Sequence, residues 1–199
     1  DYVYLRETTT IEQLQKYKVL FYPHPVLMSP ERASLLEQYT AQGGTLIIGC
    51  RSAYKDMNGR CTTDCLPGLL KPLTGTDIPE YTLVSPEDTP PLINWDGQLL
   101  EAAVFNDQLT PALPTAQVLA LYENCYYEGT PALIKNTIQK GTVYHYGAAF
   151  TEQAAEVFLE KLDLKTPYEA HFTLPPQCEI APRTKDGTTY YFILNYSNT

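Results

Sequence analysis

The segment from Lys18 to Arg60 constrains the fold of this chain more than any other part of the sequence. Its short apolar run Val19–Tyr22 is typical of a strand that is buried on both faces of a parallel sheet. The spacing then predicts a helix over Pro30–Gln42, because a Ser-Pro-Glu sequence supplies an N-cap, a first-turn proline and a first-turn acid. A Gly-Gly pair ends that helix, and Thr45–Gly49 is the next buried strand.

The order strand, helix, strand requires a right-handed crossover and therefore a parallel pair of strands, which predicts an α/β fold. Other helices are expected at Thr10–Tyr17, after a T-x-x-E capping box that starts at Thr9, and at Pro67–Leu73 and Thr151–Leu162. Other strands are expected at Tyr2–Leu5, Leu99–Phe105, Gln117–Tyr122, Ala132–Lys135 and Thr142–Tyr146. A turn at Gln139–Thr142 should join the last two as a hairpin.

Composition narrows the possible functions. A formal net charge of −9 over 199 residues, without any basic run, argues against binding to nucleic acids or anionic membranes. No apolar stretch is long enough for a transmembrane helix, and the start does not resemble a signal peptide. The five widely spaced cysteines indicate reduced thiols in a cytoplasmic protein, and the C-x3-C pair Cys61/Cys65 is too small a set for a zinc site. The sequence indicates no cofactor.

Two domains are expected, residues 1–165 and residues 166–199. The second contains an Asp-Gly hairpin turn at Asp186-Gly187 between two short strands, too little to bury a core of its own. The chain begins without methionine and ends beside a strand, so we expect a piece of a larger protein whose C-terminal β domain is only begun here.

The carboxyl ends of the parallel strands should meet at one crevice, where α/β sheets usually bind ligands. This rule gathers Glu7, His24, Cys50 and Arg51. A cysteine, a histidine and a glutamate together could form a thiol nucleophile with its base and its orienting acid. However, no glycine stands two places after Cys50, as a nucleophile elbow requires, so an unreactive strand-end thiol is favoured. A crevice that binds a small molecule or a sugar near His24 and Arg51 is the other possibility.

Several segments in order resemble one family. They are KVLFYPHPVLMS, YTAQGGTLIIG, CRSAYKDMNGR, LPGLL and the last hairpin, and together they resemble the middle domain of family 42 glycoside hydrolases, which are bacterial β-galactosidases. The matching positions in the strongest part are Pro23, His24, Leu27, Ser29, Gly43, Gly44, Thr45, Leu46, Arg51, Ser52, Asp56, Asn58 and Gly59. Ala53 stands where the family usually has glycine.

The resemblance implies a flavodoxin-like three-layer sandwich, akin to class I glutamine amidotransferases but without their nucleophile, followed by a partial β domain. It implies a non-catalytic domain that mediates homotrimer formation in a retaining β-galactosidase, with the catalytic glutamates and most galactoside contacts on a separate (β/α)8 barrel. It also implies that the domain borders the active site of the neighbouring subunit. The expected residues of the interface or active-site rim are His24, Arg51, Ser52, Tyr54, Asp56 and Asn58. The alternatives are an amidotransferase-like enzyme that uses Cys50 and a sugar-binding module.

Overall fold

The computed structural model describes residues 4–165, 168, 172–175 and 177–197. The chain forms two compact units, Asp1–Ala155 and Glu156–Thr199. The expected domain boundary at residues 165/166 stays a prediction, because Thr166 and Pro167 lie outside the described residues.

The helices are α1 (Ile11–Leu14), α2 (Pro30–Ala41), α3 (Lys71–Thr74), which follows a 3₁₀ turn at Gly68–Leu70, and α4 (Glu152–Lys161). The strands are β1 (Val19–Tyr22), β2 (Thr45–Ile48), β3 (Thr76–Leu83), β4 (Leu92–Trp95), β5 (Gln98–Glu101), β6 (Phe105–Pro111), β7 (Ala116–Glu123), β8 (Pro131–Ile138), β9 (Gly141–Tyr146), β10 (Cys178–Lys185) and β11 (Thr188–Asn195).

The largest sheet among the described residues, here called the main sheet, has the order β1-β2-β9-β8-β7-β4-β5. β1 pairs with β2, and β2 with β9, in parallel, whereas every other pair in this sheet is antiparallel. The predicted parallel pair around α2 is therefore confirmed, as is the β8–β9 hairpin. The protein is a mixed α/β fold in which the parallel part is confined to three strands.

The helix between the parallel strands forms for the reasons that its sequence suggests. The Ser29 hydroxyl accepts a hydrogen bond from the Arg32 amide, and proline occupies the first helical position. α2 then buries Leu36 and Tyr39 against the sheet. Gly44 is required after the helix, since a Cβ there would overlap the Tyr39 ring.

A separate ribbon of β3 and β6 packs on the main sheet through Ile78, Leu109 and Ile134. Ile134 lies two residues from Asn136, which is the direct partner of Val143 in β9. Val143 belongs to the core beneath α2 and α3, so the helices and the ribbon cover the same face of the main sheet. In the second unit, β10 and β11 form the predicted antiparallel hairpin around Asp186-Gly187.

Three local predictions need correction. The capping box lies one residue later, where the Thr10 amide donates to the side chain of Gln13, and α1 ends at Leu14 rather than near Tyr17. Of the expected strand Tyr2–Leu5, the first two residues lie outside the described residues, and the last two are not in a strand. The expected strand Leu99–Phe105 is interrupted at residues 102–104. The residues before the interruption belong to β5 in the main sheet, and Phe105 begins β6 in the ribbon.

Candidate functional site

The ends of the adjacent parallel strands β1 and β2 bring His24 and Cys50 together. Gly49 allows this close approach, because a Cβ on it would overlap the Pro23 carbonyl. The His24 Nδ1 lies 3.2 Å from the Cys50 carbonyl oxygen and 3.6 Å from its Sγ. The expected pair therefore exists. Among the described residues, no contact joins it to Glu7, which is exposed in a turn.

The environment of Cys50 does not suit a nucleophile. Its side chain is only 1% exposed. Burial and the nearby negative charge of Asp107 raise the pKa of the thiol far above its ordinary value, outweighing the favourable charge of Arg51. The left-handed residues at this turn are Arg51 (φ 60°) and Ala53 (φ 52°), not Cys50. Cys50 is therefore a buried thiol at a strand end, as the sequence favoured.

The centre of the site is Asp107, which the sequence analysis missed. Its side chain is fully buried, and its Oδ2 accepts a hydrogen bond from the Arg51 amide at 2.8 Å. Its Oδ1 accepts the Tyr54 hydroxyl at 2.6 Å. Burial raises the pKa of Asp107 to about 6, although both hydrogen bonds and the Arg51 charge lower it. Burial and this carboxylate raise the pKa of Tyr54, so the hydroxyl stays protonated and donates a hydrogen bond to Asp107.

The backbone of Asp107 is fixed as firmly as its side chain. Its amide donates to the Gly147 carbonyl at 2.6 Å, and its own carbonyl accepts the Tyr122 hydroxyl at 3.0 Å. Gly147 must lack a side chain, because a Cβ would lie 2.5 Å from the Asp107 oxygen. β6 is thus tied to the end of β9, and the loop after β2 is tied to β6.

An aromatic cluster lies beside this carboxylate. The Arg51 guanidinium lies 4.9 Å from the centre of the Phe105 ring, within cation–π distance. Tyr81 stacks on Phe105 with centroids 5.3 Å apart and an interplanar angle of 18°. Tyr54 meets both rings edge-on, at 5.9 and 6.3 Å. Arg51 and Tyr81 are exposed, so this cluster presents a cation and an aromatic face to the outside.

The other predicted residues shape the loop. Ser52 is buried, and its hydroxyl donates to the Gly49 carbonyl at 2.6 Å. Asp56 and Asn58 are exposed, and the Asp56 carboxylate accepts the backbone amides of Asn58 and Arg60 at 2.8 and 2.9 Å. Of the six expected rim residues, Arg51 and Tyr54 therefore meet at Asp107 and His24 meets Cys50. Ser52 and Asp56 each bond to backbone groups nearby in the chain, and Asn58 takes part through its backbone amide.

The described residues contain no group of three or more histidine, cysteine or acidic side chains arranged to hold a metal ion. Cys61 and Cys65 are exposed free thiols, and the Cys65 Sγ lies 3.3 Å from an oxygen of Asp77. Within the same part of the chain, none of the helices combines the length and apolar character needed to cross a membrane.

Comparison with known proteins identifies the relatives of the chain. A family model described as "Beta-galactosidase trimerisation domain" matches residues 8–166. Beta-galactosidase BgaA of Clostridium cellulovorans is 29% identical over 189 residues, which are 94% of this chain and 28% of that protein. Beta-galactosidase BgaP of a Planococcus strain is 26% identical over 190 residues, with the same coverage. The chain therefore spans only about 28% of the length of these curated relatives.

Solved structures agree with the sequence matches. The beta-galactosidase from Bacillus circulans sp. alkalophilus has a TM-score of 0.78 and 28% identity, over 91% of this chain and 27% of that one. Gan42B, a GH42 beta-galactosidase from G. stearothermophilus, has a TM-score of 0.80 and 25% identity, over 92% of this chain and 27% of that one.

Proposed function

Because this chain belongs to the family of β-galactosidase trimerisation domains, we propose that it is the non-catalytic assembly domain of a homotrimeric β-galactosidase. The match of the family model over most of the chain carries this proposal. The relatives are several times longer than the chain, which is consistent with one domain of a larger enzyme. Assembly, and not chemistry, is then the contribution of these residues.

The parent enzyme is proposed to be a cytoplasmic retaining hydrolase of terminal β-D-galactosides. Its catalytic acids and most sugar contacts would lie on a part of the protein outside this chain. The environment of Cys50 supports this division of labour, since a buried thiol next to a carboxylate is a poor nucleophile. The amidotransferase-like alternative has no comparable support.

The loop from Arg51 to Asn58 is proposed to border the active site of the neighbouring subunit. Its first residue is exposed yet held in one position, because its amide binds Asp107 and its guanidinium lies over Phe105. A cation and an aromatic face that are fixed before binding suit contact with a polar partner at little entropic cost.

The finer fold assignment is also a proposal. We infer that β1, α2, β2 and β9 are the part that corresponds to a flavodoxin-like, amidotransferase-like core. Two parallel strand pairs with a helix in the crossover support it. The antiparallel strands from β4 to β8 would then be an elaboration of that core.

The mass and the activity of the natural full-length protein test the proposal. We expect light scattering to give a trimer that hydrolyses a chromogenic β-galactoside, and Cys50→Ala to leave that hydrolysis unchanged. A monomer, or a protein without β-galactosidase activity, would refute the proposal. For the loop, Arg51→Ala should lower kcat/KM several-fold without changing the mass. Arg60→Ala, which removes an exposed arginine two residues after the end of this loop, is the matched control.

A further inference from the structure

One end of the β3–β6 ribbon exposes a set of apolar side chains. Tyr81 is 55% exposed, Leu83 74%, Val104 60% and Tyr126 74%. We call these four residues the ribbon tip. Isolated exposed apolar residues are common, but a contiguous patch of a few hundred square ångströms usually marks an interaction site.

The four residues are neighbours. Leu83 is the direct cross-strand partner of Phe105, and the amide of Val84 donates to the Val104 carbonyl at 2.9 Å, so the two strands close together at this end. The Tyr126 hydroxyl forms a 2.7 Å hydrogen bond with the Thr82 hydroxyl, which places that ring beside the same strand. Thr82 faces away from Tyr81 and Leu83, because successive side chains of a strand alternate, so the ribbon tip surrounds this end of the ribbon, with Tyr126 beside one face and Tyr81 and Leu83 on the other.

Val104 occupies a backbone conformation that does not suit it. Its φ is +71°, in the left-handed region where a β-branched residue is a clear outlier. Glycine would adopt this conformation without the steric cost. Strained positions of this kind concentrate at functional sites, and here the valine side chain stays exposed.

The ribbon tip also rests on rigid support. Tyr81 stacks on the buried ring of Phe105. Tyr126 packs edge-on against Tyr127 with centroids 4.8 Å apart, and the Tyr127 hydroxyl accepts the buried amide group of Asn106. A surface that is already ordered loses little conformational entropy when it binds.

We propose that the ribbon tip is the surface by which one copy of the chain docks on the next copy in the homo-oligomer. This inference rests on the proposed function, because a trimerisation domain must present a surface to its own copies. Each copy carries a net charge of −9, so copies repel one another except where charge is absent. The ribbon tip contains no charged side chain and two tyrosines, a composition typical of interface centres.

Threefold symmetry adds a geometric consequence. In a closed ring of three copies, a ribbon tip away from the threefold axis meets a different part of its neighbour, whereas a ribbon tip on the axis meets the other two ribbon tips. One substitution at the ribbon tip therefore weakens all three contacts at once.

Two substitutions in the full-length protein test the proposal, each with a matched control. Val104→Gly removes the apolar side chain and relieves the strained backbone, so the fold should keep or gain thermal stability while association weakens. Gln139→Gly relieves a left-handed residue in the β8–β9 turn (φ 49°) and should leave association unchanged. Leu83→Glu adds one negative charge at the ribbon tip, and Leu99→Glu adds it at a half-exposed leucine on the edge strand β5.

Sedimentation over a concentration series measures the concentration at half dissociation. Both ribbon-tip variants should raise it by at least about tenfold, and both controls should stay within about twofold of wild type. If wild type assembles and Leu83→Glu assembles equally well, the ribbon tip is not the interface, although the proposed function stands. If Leu83→Glu lowers galactoside kcat/KM at unchanged mass, the surface contacts ligand, and the proposal is also overturned. A wild type that never assembles refutes the proposed function together with this inference.

Discussion

Replacing Asp107 with asparagine should change how the stability of the first unit depends on pH. The carboxyl group is fully buried and bonded to the Arg51 amide and the Tyr54 hydroxyl. Asparagine has nearly the same size but never ionises. The substitution also replaces one of the two acceptor oxygens by an NH2 group, but that loss does not titrate, so the pH dependence of the difference reports the charge.

The size of the effect follows from the pKa. In the folded protein Asp107 keeps its proton up to about pH 6, whereas in the unfolded chain it releases it near pH 3.8. The folded state binds the proton more tightly, so this contribution to stability is fully present below about pH 4 and is lost as pH rises through about 6. At ~1.36 kcal/mol for each pKa unit, the loss is roughly 3 kcal/mol.

Urea unfolding of both proteins at several pH values between about 4 and 7 measures this loss. Trp95, the only tryptophan in the sequence, is buried in β4 and reports on the first unit by its fluorescence. The free energy of unfolding of wild type, minus that of Asp107→Asn, should fall by roughly 3 kcal/mol across this range. The difference is needed because burial lowers the pKa of His145 to about 3, which makes both proteins less stable as pH falls below about 6.5.

The exposed Asp64 provides the control, since Asp64→Asn removes the same charge from the surface. The difference between wild type and this control should vary far less over the same range. The reasoning is wrong if the difference between wild type and Asp107→Asn is constant with pH, or if it rises as pH rises.

Further predictions concern the groups around this carboxyl group and the fold that holds it. Tyr54→Phe keeps the ring but removes a hydrogen bond that lowers the pKa of Asp107, so the pH window measured above should extend above about 6; an unchanged window would contradict this role. Gly75→Ala should cost about 1–3 kcal/mol of unfolding free energy, because φ is +68° and the Cβ would lie 2.8 Å from an asparagine side chain on β8. Gly129→Ala, with φ +82° in open space, should cost less in the same urea assay, and equal costs would contradict the contact. Cys50 should escape a thiol reagent in the native protein at neutral pH and react in urea, as peptide mass spectrometry can check; early labelling would contradict its burial.

The parallel part of the fold was predictable because its signals are local. The apolar run of β1, the Ser29 cap, the proline of α2 and the glycines after it all lie within the segment that they organise. The hairpins at β8–β9 and β10–β11 were predictable for the same reason, since a short turn sets each pairing. The apolar residues from Leu99 to Phe105 suggested a single strand. Nothing in the residue types indicates that Val104 adopts a left-handed conformation between β5 of the main sheet and β6 of the ribbon.

The candidate site was only half predictable. The family resemblance predicted that the loop from Arg51 to Asn58 is part of the site. The residue that holds this loop, Asp107, lies in β6, more than fifty residues further along the chain. The polar run Asn106-Asp107-Gln108 does not look like a buried strand, yet all three side chains are buried. Groups that are distant in sequence bond to the Asp107 carboxylate and to the side-chain nitrogen of Asn106. The available signal was the period-two spacing of Phe105, Asp107 and Leu109, which places the acid on the same strand face as two apolar side chains.

The position of Asp107 connects the loop and the ribbon tip. Its carboxylate holds the loop after β2, and its direct partner across the ribbon is Tyr81, a member of the ribbon tip. Loop and ribbon tip therefore share one rigid support, and a change at residue 107 should displace both. If the loop borders a neighbour's active site and the ribbon tip docks on that neighbour, assembly and the geometry of the active-site rim depend on the same buried carboxyl group. Asp107→Asn should then alter galactoside kcat/KM and association together, whereas Arg51→Ala should alter kcat/KM alone.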